Sequence, residues 1–185
     1  MTDTKTLKHV NDALKAKFKG RKLVFGQGVV GAKIAFVSEM LSADAAKVNS
    51  PLGREHAKVL NKLLRNAGIN KRKVYVTNVV KYCPERDKMP TPKEIKAHAM
   101  FLREELKTVS PQLVVTLGNL ALNGVGVRMP LDNVHGRLFN LGSYELMPTY
   151  HPEHALRDPI ANRLLETDFA RLRDLLKEKT ETVES

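Results

Sequence analysis

The apolar positions of the chain follow two periods, one typical of helices and one typical of buried strands. Val10, Leu14 and Phe18 recur at helical spacing among basic residues, which predicts a basic amphipathic helix over residues 5–18. Short runs of apolar and β-branched residues predict strands instead. The predicted strands are residues 32–37, 73–77, 112–117 and 144–149, and the other predicted helices are residues 53–66, residues 91–109, a short helix from Gly118 and a last helix from Pro159.

Turn-forming residues separate these elements. Thr91, followed by a proline and then by Glu94, has the pattern of a capped helix start, and Gly68 closes the preceding helix. Residues 81–92 hold three prolines and are predicted to form a loop. A second loop is predicted for residues 38–52.

The alternation of strands with helices predicts βαβ units, and hence an α/β fold. We expect a three-layer α/β/α architecture around a central, mainly parallel, four-stranded sheet. At this length a single domain is the default. We assign it to residues 1–179, with a basic N-terminal helix within residues 1–22 packed on it. Residues 180–185 are expected to form a short, acidic, frayed tail.

The carboxyl ends of the four predicted strands bring polar or small residues together. In open α/β sheets, ligands bind outside these ends. The residues that fall there are Ser38 with Glu39, Thr77 with Asn78, Leu117 with Gly118, and Thr149 with Tyr150 and His151. This rim is therefore the expected functional site.

The net charge of the chain indicates which class of partner it binds. Among 185 residues, 31 Lys+Arg stand against 20 Asp+Glu, giving a formal net charge of +11. Such an excess favours nucleic acid, although charge can also simply keep a protein soluble. No apolar run is long enough to span a membrane, and the basic N-terminus lacks the apolar block of a secretory signal. We expect a cytoplasmic monomer with no membrane partner.

Composition and spacing argue against a metal or a cofactor. The single cysteine, Cys83, excludes a disulfide framework and any metal or iron–sulfur site built on several thiolates. His151 and His154 are a close pair with no third ligand near them. Gly26 and Gly28 precede the first strand instead of following it, so we interpret them as a turn and not as a phosphate cradle. We expect no metal and no cofactor.

The segment 149–159 carries the strongest local signal. His151, at the turn after a strand, can donate a hydrogen bond or a positive charge to a developing anion, or it can simply bond a backbone carbonyl. Leu156 and Arg157 follow in a predicted loop between two prolines. An exposed leucine beside an arginine suits a wedge that enters a base stack while the arginine holds a phosphate. The alternative is that Leu156 packs under the loop.

Two more rim residues suit recognition of a base. Asn78 offers both a donor and an acceptor, which match the edge of a nucleobase, and an Asn-based turn is the alternative. Glu39 can hold a water or bond a ligand, or it can be a solvated loop carboxylate. Asp44 is a second carboxylate close along the chain.

Taken in order, these segments resemble the uracil-DNA glycosylase superfamily, most closely its family-4, iron–sulfur type. Residues 74–81, V-Y-V-T-N-V-V-K, closely match the family's V-Y-I-T-N-V-V-K, and residues 38–42, S-E-M-L-S, stand where it has G-E-A-P-G. Further segments follow its pattern in the same order: residues 25–37, residues 84–95, residues 111–118, and residues 149–152 with Leu156 and Arg157. The resemblance extends from Val24 to Leu176.

The resemblance implies a DNA glycosylase. Such an enzyme flips its target nucleotide, here uracil or another altered pyrimidine in single- or double-stranded DNA, and hydrolyses the N-glycosidic bond. It implies that His151 faces the base oxygen that gains charge, that Asn78 reads the base edge, and that Glu39 is the acid of the first motif. It also implies that Leu156 fills the gap in the base stack and that Arg157 holds the backbone. By position, Met40, Ser42 and Leu52 are further assigned to substrate binding, and Gly118 and Pro152 to DNA binding.

The chain departs from this family at its cluster ligands. Family-4 enzymes carry four cluster cysteines, and the third and fourth positions fall on Tyr82 and His98. One thiol cannot hold a 4Fe–4S cluster, so we expect none. The N-terminal helix and the loop of residues 82–98 are expected to pack by ordinary side chains instead.

The first motif and the stacking position differ as well. Ser38, Leu41 and Ser42 replace the family's Gly, Pro and Gly, which removes the close backbone approach that glycine allows. The family's stacking aromatic falls on Pro51 or Leu52. Its second acid falls on Ala45 unless Asp44 takes the role, and Met40 stands where the family has a small residue.

These departures leave three functions open. The first is an active glycosylase, favoured by the presence of Glu39, Asn78 and His151. The second is a glycosylase-fold DNA-binding protein that has lost turnover, favoured by the missing glycines, aromatic residue and second acid. The third is an unrelated α/β hydrolase or nucleotide-binding module, against which the His-Pro loop and the missing phosphate cradle argue.

Overall fold

One mixed sheet organises the molecule. The computed structural model describes residues 6–85 and 88–184, with side chains described to residue 179. Within these residues, six strands pair in the order β1-β3-β2-β4-β6-β5. They are β1 (Gln27–Gly28), β2 (Ile34–Met40), β3 (Val74–Val80), β4 (Leu113–Leu117), β5 (Phe139–Asn140) and β6 (Glu145–Thr149).

The four longer strands confirm the predicted parallel core of the sheet. Strand β2 lies between β3 and β4, β6 lies beyond β4, and all four run parallel. The edges β1 and β5 pair antiparallel with β3 and β6 and were not predicted. Each has only two residues, which is too short to show a period.

Helices cover both faces of this sheet, as expected for three layers. Among the described residues they are α1 (Leu7–Lys17), α2 (Ala43–Lys47), α3 (Arg54–Asn66), α4 (Pro92–Val109), α5 (Asn119–Gly124), α6 (Leu131–Val134), α7 (Pro152–Arg157) and α8 (Pro159–Glu184), with a 3-10 turn at Lys71–Lys73. The predicted start of α4 is confirmed, since Thr91 and Glu94 cap each other's backbone N–H groups.

Two hydrophobic clusters hold the layers together. On one face, α4, α5 and α6 bury residues such as Leu102 and Leu122 against the sheet. On the other face, α3 and α8 pack against it, and the rings of Phe36 and Phe169 stack with centroids 6.1 Å apart. Burying a side chain of this size stabilises the fold by roughly 1.5–3 kcal/mol. The clusters thus fix the strands whose ends form the rim.

Four predicted boundaries are wrong, and each error has a local cause. The loop predicted for residues 38–52 is partly ordered, because β2 continues to Met40 and Ser42 caps α2. Strand β3 continues to Val80, so Asn78 lies inside a strand and not after one. The tail predicted for residues 180–185 continues α8 as far as Glu184.

The fourth error concerns the segment after β6. The loop predicted to carry Leu156 and Arg157 is the short helix α7. It begins at Pro152, whose ring suits a first helical position, and His151 caps it by accepting from the N–H of Glu153. Six residues do not complete two turns, so the sequence shows no helical period there.

Candidate active site at the ends of the parallel strands

Three of the predicted rim residues converge on one buried point. Ser38 in β2 lies directly opposite Asn78 in β3 in the parallel register, and both side chains are fully buried. The Oγ of Ser38 lies 2.9 Å from Nε2 of His151, which follows the end of β6. The sheet therefore brings residues 38, 78 and 151 together, although they are far apart along the chain.

The protonation state of His151 follows from its two partners. Its Nδ1 lies 3.1 Å from the backbone N of Glu153, which can only donate, so Nδ1 accepts and the ring proton of the neutral form is on Nε2. Burial, with smaller contributions from His56 and His154, lowers the pKa of His151 to about 3. His151 is therefore a neutral donor near pH 7. The hydrogen-bond geometry thus favours donation from a neutral ring over the alternative that His151 brings a positive charge to the site.

Only one of the two polar side-chain atoms of Asn78 has a partner among the described residues. Its Nδ2 donates to the carbonyl oxygen of Pro51 at 2.7 Å. Its Oδ1 is buried and has no partner among the described residues. A buried acceptor without a donor costs free energy, on the order of 1–3 kcal/mol, unless a ligand supplies one. An Asn-based turn is excluded, because the residue lies within β3.

Glu39 lies against the start of α5. Its Oε1 accepts from the backbone N–H of Leu120 at 3.0 Å, and burial raises the pKa of its carboxyl. Gly118, with φ of 100°, lies so close that a Cβ there would overlap the carboxylate. The absence of a side chain at residue 118 leaves room for the Glu39 carboxylate at the rim. Glu39 is therefore not a solvated loop residue.

A buried ion pair behind β3 was missed by the sequence analysis. Lys81 and Glu105 are both 1% exposed and lie 2.6 Å apart. Glu105 also accepts from the hydroxyls of Tyr75 and Thr77, and Lys81 donates to the carbonyl oxygen of Asn78 at 2.7 Å. The pair therefore fixes the backbone that carries Asn78. A lysine directly after the apolar pair Val79 and Val80 was the one available signal.

Five residues that the resemblance relates to the site have other partners in the structure. Ser42 uses its Oγ to cap α2, by accepting from the N–H of Ala45 at 3.1 Å. Leu52 packs in the hydrophobic cluster beneath α3, and Pro51 contacts Asn78 instead. Met40 is half-buried and packs against the other cluster. Asp44 accepts from the N–H of Arg54 at 2.7 Å and so caps α3. Nothing in these contacts supports the substrate-binding roles of Ser42 and Leu52.

Helix α7 projects an apolar and a basic side chain from the rim. Pro152 is buried at its start, whereas Leu156 is 51% exposed, so the alternative that Leu156 packs underneath is wrong. Arg157 pairs with Glu153 at 2.6 Å while its side chain stays largely in solvent. Ile160, at the start of α8, is also exposed. This arrangement suits contact with a second molecule.

Comparison with known proteins agrees with this geometry. The model of the Uracil DNA glycosylase superfamily matches residues 25–176. The chain belongs to this superfamily. The fold and the enzyme class predicted from the sequence, a DNA glycosylase, are thereby confirmed.

Individual relatives place the chain within the superfamily. The Type-4 uracil-DNA glycosylase of Thermotoga maritima is 33% identical over 161 residues, which cover 85% of this chain and 82% of that protein. The enzyme of the same name from Saccharolobus solfataricus is 27% identical, over 91% of this chain and 82% of its own. A DNA polymerase of Bacillus phage SP01 is 28% identical over 84% of this chain, which is 17% of the polymerase.

Tyr82 and His98, the residues that the resemblance places at family-4 cluster positions, do not fit an iron–sulfur cluster. Tyr82 and His98 pack with Phe18, whose ring stacks on His98 with centroids 4.1 Å apart. Tyr82 also donates to a carboxylate oxygen of Glu94 at 2.7 Å. Among the described residues, no group of three or more His, Cys, Asp and Glu side chains is arranged to hold a metal. Packed rings thus join α1 to α4 at these positions.

A membrane-spanning helix is absent from the part of the chain that the structure describes. None of its helices is both long enough and apolar enough to cross a bilayer.

Proposed function

We propose that this protein removes uracil, or another altered pyrimidine with the same imide edge, from DNA by hydrolysis of the N-glycosidic bond. The observation that carries the proposal is the buried, unpaired Oδ1 of Asn78, whose cross-strand neighbour Ser38 lies 2.9 Å from Nε2 of His151. The N3–H of uracil is the donor that this oxygen lacks, whereas N3 of cytosine in DNA carries no hydrogen. The names of the relatives, uracil-DNA glycosylases and a DNA polymerase, support DNA as the substrate.

The chemistry that this site can support is stabilisation of a departing base. The bond between C1′ of the sugar and N1 of the base breaks, and its electron pair leaves with the base. Negative charge then spreads onto the base carbonyl oxygens, and donors placed at that point stabilise it. Water adds to C1′, giving an abasic sugar, and a water proton neutralises the base. We assign Glu39, a carboxylate held at the rim, to the positioning of that water.

Contact with the duplex is assigned to α7. Its exposed Leu156 occupies the space that a flipped nucleotide leaves in the stack, and Arg157 binds a neighbouring phosphate. The net charge of +11 adds a general attraction to DNA.

A product assay tests the proposed function. Labelled single-stranded oligonucleotides, each with one uracil, one other altered pyrimidine or one cytosine at the same position, are incubated with the protein and then treated with alkali. Cleavage at uracil and none at cytosine is the expected result. If no altered pyrimidine yields an abasic product while DNA binding remains salt-sensitive, the chain is a DNA-binding protein without turnover. One observation favours this second candidate: Nε2 of His151 already donates to Ser38 and is therefore not available to a base.

Arg157→Ala is expected to lower the salt dependence of DNA binding. A side chain that neutralises one phosphate releases about one counterion, so the slope of log K against log salt should fall by about 1. The measurement is duplex affinity across a range of salt concentrations. Arg173→Ala is the matched control, because Arg173 is also exposed and paired with a neighbouring carboxylate. An equal change of slope in both variants would remove Arg157 from the contacts.

A further inference from the structure

Ser38 lies next to both predicted base-binding residues, as the cross-strand neighbour of Asn78 and as the hydrogen-bond partner of His151. It lies opposite Asn78 across the parallel pair β2 and β3, and its Oγ is 2.9 Å from Nε2 of His151. It is fully buried, at 0% exposure, on a central strand. Its position is therefore fixed by the sheet and not by a mobile loop.

The direction of its hydrogen bond follows from the histidine. Since Nδ1 of His151 accepts from Glu153, Nε2 carries the proton and donates to Ser38. The oxygen of the Ser38 hydroxyl therefore accepts a hydrogen bond from His151, and the hydroxyl hydrogen remains available for donation. No acceptor for that hydrogen is found among the described residues. A serine hydroxyl can accept and donate at once.

The two unused groups are complementary to a pyrimidine imide. Asn78 presents an acceptor without a donor, and Ser38, its cross-strand neighbour, presents a donor without an acceptor. Uracil has an N–H at N3 and a carbonyl oxygen on each side of it. An acceptor beside a donor is the pattern that binds N3–H together with one of those oxygens.

We propose that Ser38 is a catalytic residue, whose hydroxyl donates to the base carbonyl that gains charge while His151 donates to Ser38 from behind. This inference rests on the proposed function and assigns the direct contact to Ser38 instead of His151. Hydrogen bonds in a chain polarise one another, so the histidine strengthens the donor that the base meets. The opposite arrangement, in which Ser38 merely blocks His151, predicts opposite results.

The first test is Ser38→Ala, measured by the single-turnover rate on a uracil oligonucleotide. Removal of one donor from a developing anion typically costs 10²–10³-fold in rate, so a loss of about 100-fold is expected. Thr116→Val is the matched control, because Thr116 is buried in the neighbouring strand and its Oγ1 has no partner. Thermal unfolding of each variant checks the fold. An unchanged or faster rate in Ser38→Ala overturns the proposal.

The double variant Ser38→Ala/His151→Ala separates a chain of donors from two independent donors. If His151 acts only through Ser38, the double variant should be no slower than Ser38→Ala, within about twofold. If each residue touches the base separately, the double variant should lose the product of the two single effects. That second outcome contradicts the proposal.

A binding measurement gives a result that does not depend on turnover. The probe is an oligonucleotide with 2′-fluoro-2′-deoxyuridine, whose glycosidic bond resists cleavage, compared with the same strand carrying deoxycytidine. Wild-type protein should prefer the uracil probe, and Ser38→Ala should bind that probe more weakly while Thr116→Val binds it as the wild type does. Unweakened binding of the uracil probe by Ser38→Ala overturns the role of Ser38 alone. No preference in the wild type is the failure of the proposed function, and this inference falls with it.

Discussion

His151→Ala is expected to slow base removal strongly, by no more than the loss of about 100-fold expected for Ser38→Ala, while leaving DNA affinity nearly unchanged. The variant removes the Nε2 donor that supports Ser38, and with it the stabilisation of the departing base. Phosphate contacts, which supply most of the affinity, lie elsewhere. The measurements are the single-turnover rate on a uracil oligonucleotide and the affinity for the same strand without uracil.

The same substitution also removes a helix cap, and this needs its own control. His151 caps α7, and loss of an N-cap typically costs about 1 kcal/mol. His151→Asn can keep a capping oxygen for Glu153 but is too short to reach Ser38 as well, so it should be as slow as the alanine variant. His154→Ala, an exposed histidine on the same helix, should remain active. A fully active His151→Asn would show that only the cap matters.

As pH falls, the free energy of unfolding should decrease before His151 loses its neutral form. Burial, followed by His56 and His154, lowers the pKa of His151 from its ordinary 6.5 to about 3 in the folded protein. Between these values the unfolded chain binds a proton that the folded chain does not, so the free energy of unfolding falls as pH falls from 6.5 towards 3. The neutral donor itself persists across that window. Burial also raises the pKa of Glu39, so protonation of this carboxylate is expected to lower the rate as pH falls.

The sequence predicts the rim well because that rim is built from strand ends. Asn78 and His151 each fall near the end of an apolar run, and parallel strands bring such ends to one edge. Period and turn chemistry are local signals, so the four long strands and the start of α4 could be found without knowledge of their neighbours. The two-residue edge strands and α7 gave no period to detect.

Contacts between distant segments of the chain could not be predicted from the sequence. Ser38 and His151 are separated by 113 residues, and no local sequence pattern near either residue indicates that they are in contact. The same holds for Lys81 and Glu105, whose pairing depends on how α4 packs on β3. Leu52 shows the converse situation, because the resemblance assigns it to substrate binding while it packs in a hydrophobic cluster of the core.

Asn78→Ala is expected to remove base selection and to lower kcat/KM on uracil by about 100-fold or more. The reason is the unpaired Oδ1, which is the acceptor assigned to N3–H of the base. A site built around a buried polar group discriminates strongly, because the wrong base leaves that group unpaired. Without the group, the difference between uracil and cytosine should shrink. The measurement is kcat/KM on strands that differ in that one base.

Abasic DNA separates this role from a structural one. Asn78 also donates to Pro51, so its loss can disturb the segment before α3 as well as the base pocket. A strand with an abasic site has no base to read, so Asn78→Ala should bind it as the wild type does. Asn140→Ala is the matched control, since Asn140 lies on an exposed edge strand, where its side-chain oxygen accepts from the N–H of Gly142. Equal weakening on uracil and abasic strands would mean that Asn78 holds the backbone and does not read the base.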